Sequence, residues 1–263
     1  MFSKKVLTVL SAALASVALA GAHAQADTAA MIEGDASGTV VTYGTAGNFP
    51  VITAILSQPG TIGTKTYSTY AILANDGTGS IELYGSLPTG STYTPTVGDS
   101  ISVSGTYGPY DSIPEIGTMT AITKETSGNS LPAVQTSTIP TLNVATPPNN
   151  VGGYLFNLNN VTISGLTGTT FGLSSEAGTI TDALGNTMAM YYWPTSYSAA
   201  AANLNGTTIP TGPVDITGFD SAYKGTAQFV PVSIAAVPEP ASLAVMVLGG
   251  LALLTLGRKR KQA

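Results

Sequence analysis

Cysteine is absent from the 263 residues, and the single histidine, His23, stands near the start of the chain. Beyond Ala24 there is therefore no thiol nucleophile, no Ser-His-Asp triad, no His- or Cys-ligated zinc and no disulfide framework. Charge is scarce too: 9% of the residues are Asp, Glu, Lys or Arg, against about a quarter in an average globular chain. Arginine occurs only as Arg258 and Arg260. No Gly-x-x-x-x-Gly-Lys-Ser/Thr loop and no strand-linked Gly-x-Gly-x-x-Gly is present to cradle phosphates. These absences lead us to expect no cofactor, no metal ion and no enzyme of the common hydrolase types.

What charge there is lies unevenly. Of nine basic residues, Lys4 and Lys5 open the chain and Arg258, Lys259, Arg260 and Lys261 close it. Between Gln25 and Val237 three lysines stand against thirteen acids, ten negative charges in excess. The apolar weight gathers at the same two ends. Residues 1–24 combine a basic start, an apolar stretch from Val6 to Ala20 and the small-x-small site Ala22-His23-Ala24, the pattern of a cleaved secretory signal peptide. Export is the expectation, with a membrane-anchored precursor passing to the cell surface or extracellular matrix.

The C-terminal residues 237–263 have three parts: Val237-Pro238-Glu239-Pro240, an apolar run over 241–257, and the basic cluster Arg258 to Lys261. As a helix the run reaches about 25 Å, enough for a thin bilayer. The basic cluster stops transfer and stays on the cytoplasmic side. Pro238 and Pro240 hold the backbone extended before the helix, which presents Glu239 to a protease-like site. This order of parts resembles the PEP-CTERM sorting tail of bacterial exported proteins. The resemblance implies that exosortase, an integral-membrane enzyme, recognises Pro-Glu-Pro outside the membrane, cuts near it and passes the protein on. A plain membrane anchor is the alternative reading of the same residues.

Between the ends the chain reads as strands. Ile81-Glu82-Leu83-Tyr84, Ile101-Ser102-Val103-Ser104 and Val214-Asp215-Ile216-Thr217 alternate apolar and polar residues between Gly, Pro and Asp, as half-buried antiparallel strands do. One short helix is expected, from Ser196 through Ala199 to Ala202. Prolines 132, 140, 147 and 148 among Thr, Ser and Asn mark 126–150 as a linker.

Two similar halves flank that linker. A shift of 113 residues carries Ile101, Val103, Gly105 and Tyr110 onto Val214, Ile216, Gly218 and Tyr223, and Glu115 and Ile116 onto Gln228 and Phe229. Asp76-Gly77-Thr78-Gly79 is mirrored by Asp182-Ala183-Leu184-Gly185. Each half, 37–125 and 151–236, supplies about five strands, the number in the oligonucleotide/oligosaccharide-binding (OB) Greek-key barrel. Ala74 to Gly79 and Val97-Gly98-Asp99 to Gly105-Thr106-Tyr107 resemble the hairpin and strand of OB-type domains in exported bacterial proteins. The fold expected is all-β, two tandem OB-like barrels, with an immunoglobulin-type sandwich as alternative.

Paired carboxylates, Asp76 with Glu82 or Asp111 with Glu115, are the remaining route to catalysis, as in a glycosidase. Asp76 and Asp111 also suit turns, where a short carboxylate bonds the local backbone. The excess of acid argues against phosphate binding, so nucleic acid is not expected as a partner. Neutral extracellular polysaccharide is. If Ile81, Leu83, Met188 and Met190 face inward, Tyr84, Tyr191 and Trp193 face outward, as a candidate ligand face or as packing against a neighbour. The reading is an exported, non-catalytic surface or matrix protein with a polysaccharide-binding role; the alternative is a secreted enzyme accessory protein or carboxylate-based glycosidase.

Overall fold

A computed structural model describes residues 27–62, 64–111, 113–143, 154–194, 197–198 and 204–237. The signal peptide, Pro238 onward in the tail, and Ala199 to Ala202 lie outside the described residues. Among the described residues no helix is long and apolar enough to cross a membrane.

The first half begins with a single helical turn, α1 (Ala29–Ile32), and strand β1 (Val40–Tyr43). There follow β2 (Val51–Ser57), a small hairpin of β3 (Gly60–Ile62) and β4 (Lys65–Tyr67), then β5 (Tyr70–Asn75), β6 (Ser80–Gly85), β7 (Ser100–Tyr107) and β8 (Glu115–Thr126). β2 pairs with β5, β5 with β6, β6 in parallel with β8, and β8 with β7. A pairing of Val51 with Ser100 joins β7 back to β2 and closes the barrel. The second half repeats this plan. β10 (Leu155–Ser164), β11 (Glu176–Thr181) and β12 (Thr187–Tyr192) are followed by β14 (Val214–Tyr223) and β15 (Thr226–Ala236). β12 runs parallel to β15, and β10 pairs with both β11 and β14. The protein is all-β, with two tandem five-stranded OB-type Greek-key barrels.

Inside each barrel the alternation in sequence becomes alternation in burial. Ile81 and Leu83 of β6, Ile101 and Val103 of β7 and Ile116 of β8 fill the first core. Ile180, Met188, Met190, Ile216 and Phe229 fill the second. Gly105 and Gly218, 113 residues apart, both lie where the strand register slips. A Cβ on Gly105 would stand 2.6 Å from Ile116 Cγ2, and one on Gly218 2.3 Å from the Val230 carbonyl oxygen. The first strand bends over Ile116 and the second over Phe229, core residues of the strand that follows, so only glycine fits.

The turns before the third strands are also built alike. Asp76 Oδ1 accepts hydrogen bonds from the amides of Thr78 and Gly79, and its Oδ2 accepts one from the Ala29 amide at the start of α1. Asp182 Oδ1 accepts from the amides of Leu184 and Asn186. Both carboxylates close turns, the second role considered for Asp76.

Three features depart from the sequence reading. The stretch read as a linker carries β9 (Gln135–Ser137), paired in parallel with β10, and a turn of helix, α2 (Ile139–Leu142). Ile139 and Leu142 are buried in the second core, so part of the connection caps that barrel. Tyr197–Ser198, placed in a helix by its neighbouring alanines, is instead a strand, β13, which pairs with Ile55 and Ala54 of β2. Pairing with an open strand edge in the other barrel outweighs local helix propensity. Finally, the barrels are not separated. Ala54, Leu56, Ala71 and Leu73 of the first and Leu155, Phe219, Val230 and Val232 of the second form one buried cluster between them.

Candidate functional site

The cluster between the barrels explains where the outward aromatics go. Ile81 and Leu83 point into the first core, and Tyr84 points out with 43% of its surface exposed. Met188, Met190 and Tyr192 point into the second core, which turns Tyr191 and Trp193 outward, toward the first barrel. Both are half-buried against the inter-barrel cluster. Their rings meet edge to face at 6.1 Å, so Tyr191 braces Trp193.

Two cavities adjoin this place. One of about 220 Å³ is lined by Ser57, Tyr67, Thr69, Tyr84, Ser175 and Trp193. The other, of about 320 Å³, has Glu82, Tyr84, Tyr110 and Glu115 from the first barrel and Trp193, Tyr223 and Gln228 from the second on its walls. Tyr84 and Trp193 border both, so two of the three aromatics singled out in the sequence share one cleft; Tyr191 stands behind Trp193. Tyr67, on the smaller cavity, has a buried hydroxyl with no hydrogen-bond partner among the described residues.

The carboxyl pair in the cleft is Glu82 with Glu115. These residues are register partners across the parallel β6–β8 pairing and both point away from the core. Sequence reasoning named each but matched them to Asp76 and Asp111. The signal that pairs them is topological: in a Greek-key barrel the third and fifth strands lie side by side, which makes residues 33 apart in sequence neighbours. Burial first, and the nearby negative charge of Glu115 second, push the Glu82 carboxyl up to about 8. Glu82 keeps some exposed surface, on the cleft side. Glu115 is also raised, by burial.

A second carboxyl, Asp220 on β14, is 3% exposed. Burial raises it to about 7; only the Ser221 amide acts in the opposite sense, and neither carboxyl oxygen makes a well-formed hydrogen bond. Asp220 follows Phe219 of the inter-barrel cluster and precedes Ser221 on the wall of the larger cavity. Among the described residues no group of three or more His, Cys, Asp or Glu is placed to hold a metal ion.

The cleft is also where the repeat meets itself. Asp111 and Lys224 hold equivalent turns between the last two strands, both in the left-handed region at φ 48° and 53°. The Lys224 amide donates to Asp111 Oδ2, and the Lys224 ammonium lies 5.0 Å from the centre of the Tyr223 ring. Tyr110 and Tyr223 are equivalent positions and line the same cavity, as do Glu115 and Gln228.

No protein-family model matches the chain, and no curated protein matches it. Among the solved structures similar to it is one described as the structure and conformational change of a replication protein A heterotrimer bound to ssDNA. That similarity covers 86% of this chain and 72% of the other, at 10% identity and a TM-score of 0.28. The exclusion of nucleic acid as a partner, drawn from charge balance alone, is withdrawn in view of this single-stranded-DNA-bound neighbour. Charge sets the long-range attraction for phosphate, whereas stacking on aromatic rings needs none. An identity of 10% transfers no ligand to this chain.

Proposed function

We propose that the chain is an exported, non-catalytic surface or matrix protein that binds polysaccharide in the cleft between its two barrels. The observation that carries this reading is the placing of Tyr84 and Trp193, from different barrels, on the walls of one cavity. Sugar rings present apolar C–H faces that stack on aromatic rings, while their hydroxyls bond to polar groups such as Gln228 and Ser221 at the rim. Trp193 is the only tryptophan, so its fluorescence reports on this cleft directly. Adding the host's exopolysaccharide to the protein is expected to shift that emission to the blue, and Trp193→Ala is expected to abolish binding measured by calorimetry while the melting transition persists. An unchanged emission at saturating polysaccharide would reject the reading.

The sequence supports the route by which the protein reaches the surface: a signal peptide over 1–24 and a PEP-CTERM tail from Val237. Exosortase is the proposed partner, with the apolar run 241–257 holding the precursor in the membrane. Intact mass of the surface protein from its native host is expected to end near Pro240, without Arg258, Lys259, Arg260 and Lys261. Recovery of those residues on the mature protein would leave a permanent anchor.

One observation favours a second reading, a carboxylate-based glycosidase: Glu82 and Glu115 lie side by side in the cleft, with the first kept protonated at neutral pH as a general acid must be. Release of reducing ends from the same polysaccharide, abolished by Glu82→Gln, would decide for it.

A further inference from the structure

Glu82 and Glu115 face a cavity walled by aromatic rings, and among the described residues no cation lines it. The groups around Glu82 are Glu115 on the adjoining β8, Tyr84 on its own strand, Tyr110 from the turn before β8, and Trp193, Tyr223 and Gln228 from the second barrel. Among the described residues, the Lys224 ammonium near this cavity is held over the Tyr223 ring and is not among the influences that act on either carboxyl. Two acids side by side in such a place are costly when both are ionised. A neutral sugar would leave that cost untouched. An ammonium group would remove it, and would also be attracted by the faces of Trp193 and Tyr84.

Resting on the reading of this cleft as a polysaccharide site, we propose that its ligand class is a glycan bearing free amino groups, with the ammonium seated between Glu82 and Glu115 and the sugar ring against Trp193 and Tyr84. Because burial and Glu115 hold a proton on Glu82 at neutral pH, arrival of the ammonium drives that proton from the carboxyl to solvent. The carboxyl O–H bond is exchanged for one on water or buffer, and no bond to carbon changes.

The test titrates the full chain at neutral pH with a glucosamine hexamer and, separately, with its N-acetylated counterpart, following Trp193 fluorescence and heat. The amino hexamer is expected to bind at least about tenfold more tightly, a difference of about 1.4 kcal/mol. Its heat is expected to vary with the ionisation enthalpy of the buffer, as proton release requires. The paired substitution Glu82→Gln with Glu115→Gln, which preserves volume, is expected to bring the two affinities together while the neutral hexamer still binds. Equal binding of both hexamers by the unaltered protein, or a preference that survives both substitutions, overturns the proposal; the first outcome needs no variant to fold. A response to exopolysaccharide with no preference for amino groups would fail this inference alone, whereas silence toward all three ligands would fail the cleft reading beneath it.

Discussion

Gly218 sits under the Phe229 ring and the Val230 carbonyl, with no room for a methyl group. Gly218→Ala is expected to cost about 1–3 kcal/mol by forcing β14 away from β15, and Gly105→Ala a similar amount against Ile116. Gly212, with open space around its Cα, serves as the control: its alanine variant should stay within about 0.5 kcal/mol in the same urea unfolding series. Two single carboxyls make a different prediction. Glu82 is raised from 4.5 to about 8 and Asp220 from 3.8 to about 7. Between those limits the folded protein holds protons that the unfolded chain releases, so the neutral forms stabilise the fold at low pH. Stability should therefore fall as pH rises from about 5 to about 8. Glu82→Gln and Asp220→Asn should each flatten that slope and leave the variant about 1–2 kcal/mol more stable than the parent near pH 8, after allowance for solvent access. A parent whose midpoint is constant across this range would contradict both assignments.

Strands β2 and β5 have both faces covered, as β15 does over Phe229 to Val232. Ile52, Ala54, Ile55 and Leu56 in β2, and Ala71 to Ala74 in β5, are all buried. One face meets the core of the first barrel and the other meets Leu155, Phe219, Val230 and Val232 of the second. Phe219→Ala removes a ring from the shared cluster and is expected to cost about 3–5 kcal/mol. Because the ring lies between the barrels rather than within one, the loss should appear as two thermal transitions in calorimetry where the parent shows one. The strands with a wet face were legible in sequence, since Ile81 and Leu83, or Val214 and Ile216, alternate with polar residues. The docking face was written differently: a nearly continuous apolar run such as Val51 to Leu56, interrupted only by the buried Thr53, signals burial on both sides. Tyr197–Ser198 was misread for the opposite reason, as its pairing partner is about 140 residues away and leaves no local trace.

At the level of the whole molecule, docking means that neither half is complete alone. A fragment ending at residue 130 would expose Ala54, Leu56, Ala71 and Leu73 together, a contiguous apolar patch of the kind that soluble monomers avoid. Sedimentation of that fragment should show self-association at concentrations where residues 25–237 together remain monomeric. The internal repeat was legible because its signals are local: glycines at the bends, an Asp turn before the third strand, and alternation at a constant offset. The candidate cleft was legible only in part. Parity placed Tyr84, Tyr191 and Trp193 outside their barrels, but which outer surfaces meet depends on contacts between distant segments, and the Glu82–Glu115 pair depends on strand order.

The meeting of Asp111 with Lys224 has one more consequence. A contact between equivalent positions is the kind made across the two-fold axis of a dimer, and in such a dimer whatever stands on one wall must stand on the other. Glu115 would then oppose another Glu115, and every mutation would be felt twice. Carrying both barrels on one chain lifts that constraint and fixes their proportion at one to one. Position 115 keeps its carboxylate while its counterpart, 228, is an amide; an Asp meets a Lys at the turn; and Glu82, the register partner of 115, is answered by Ala189, the register partner of 228. The cleft thus has an acidic wall and a neutral one, an asymmetry that a dimer of identical barrels could not build.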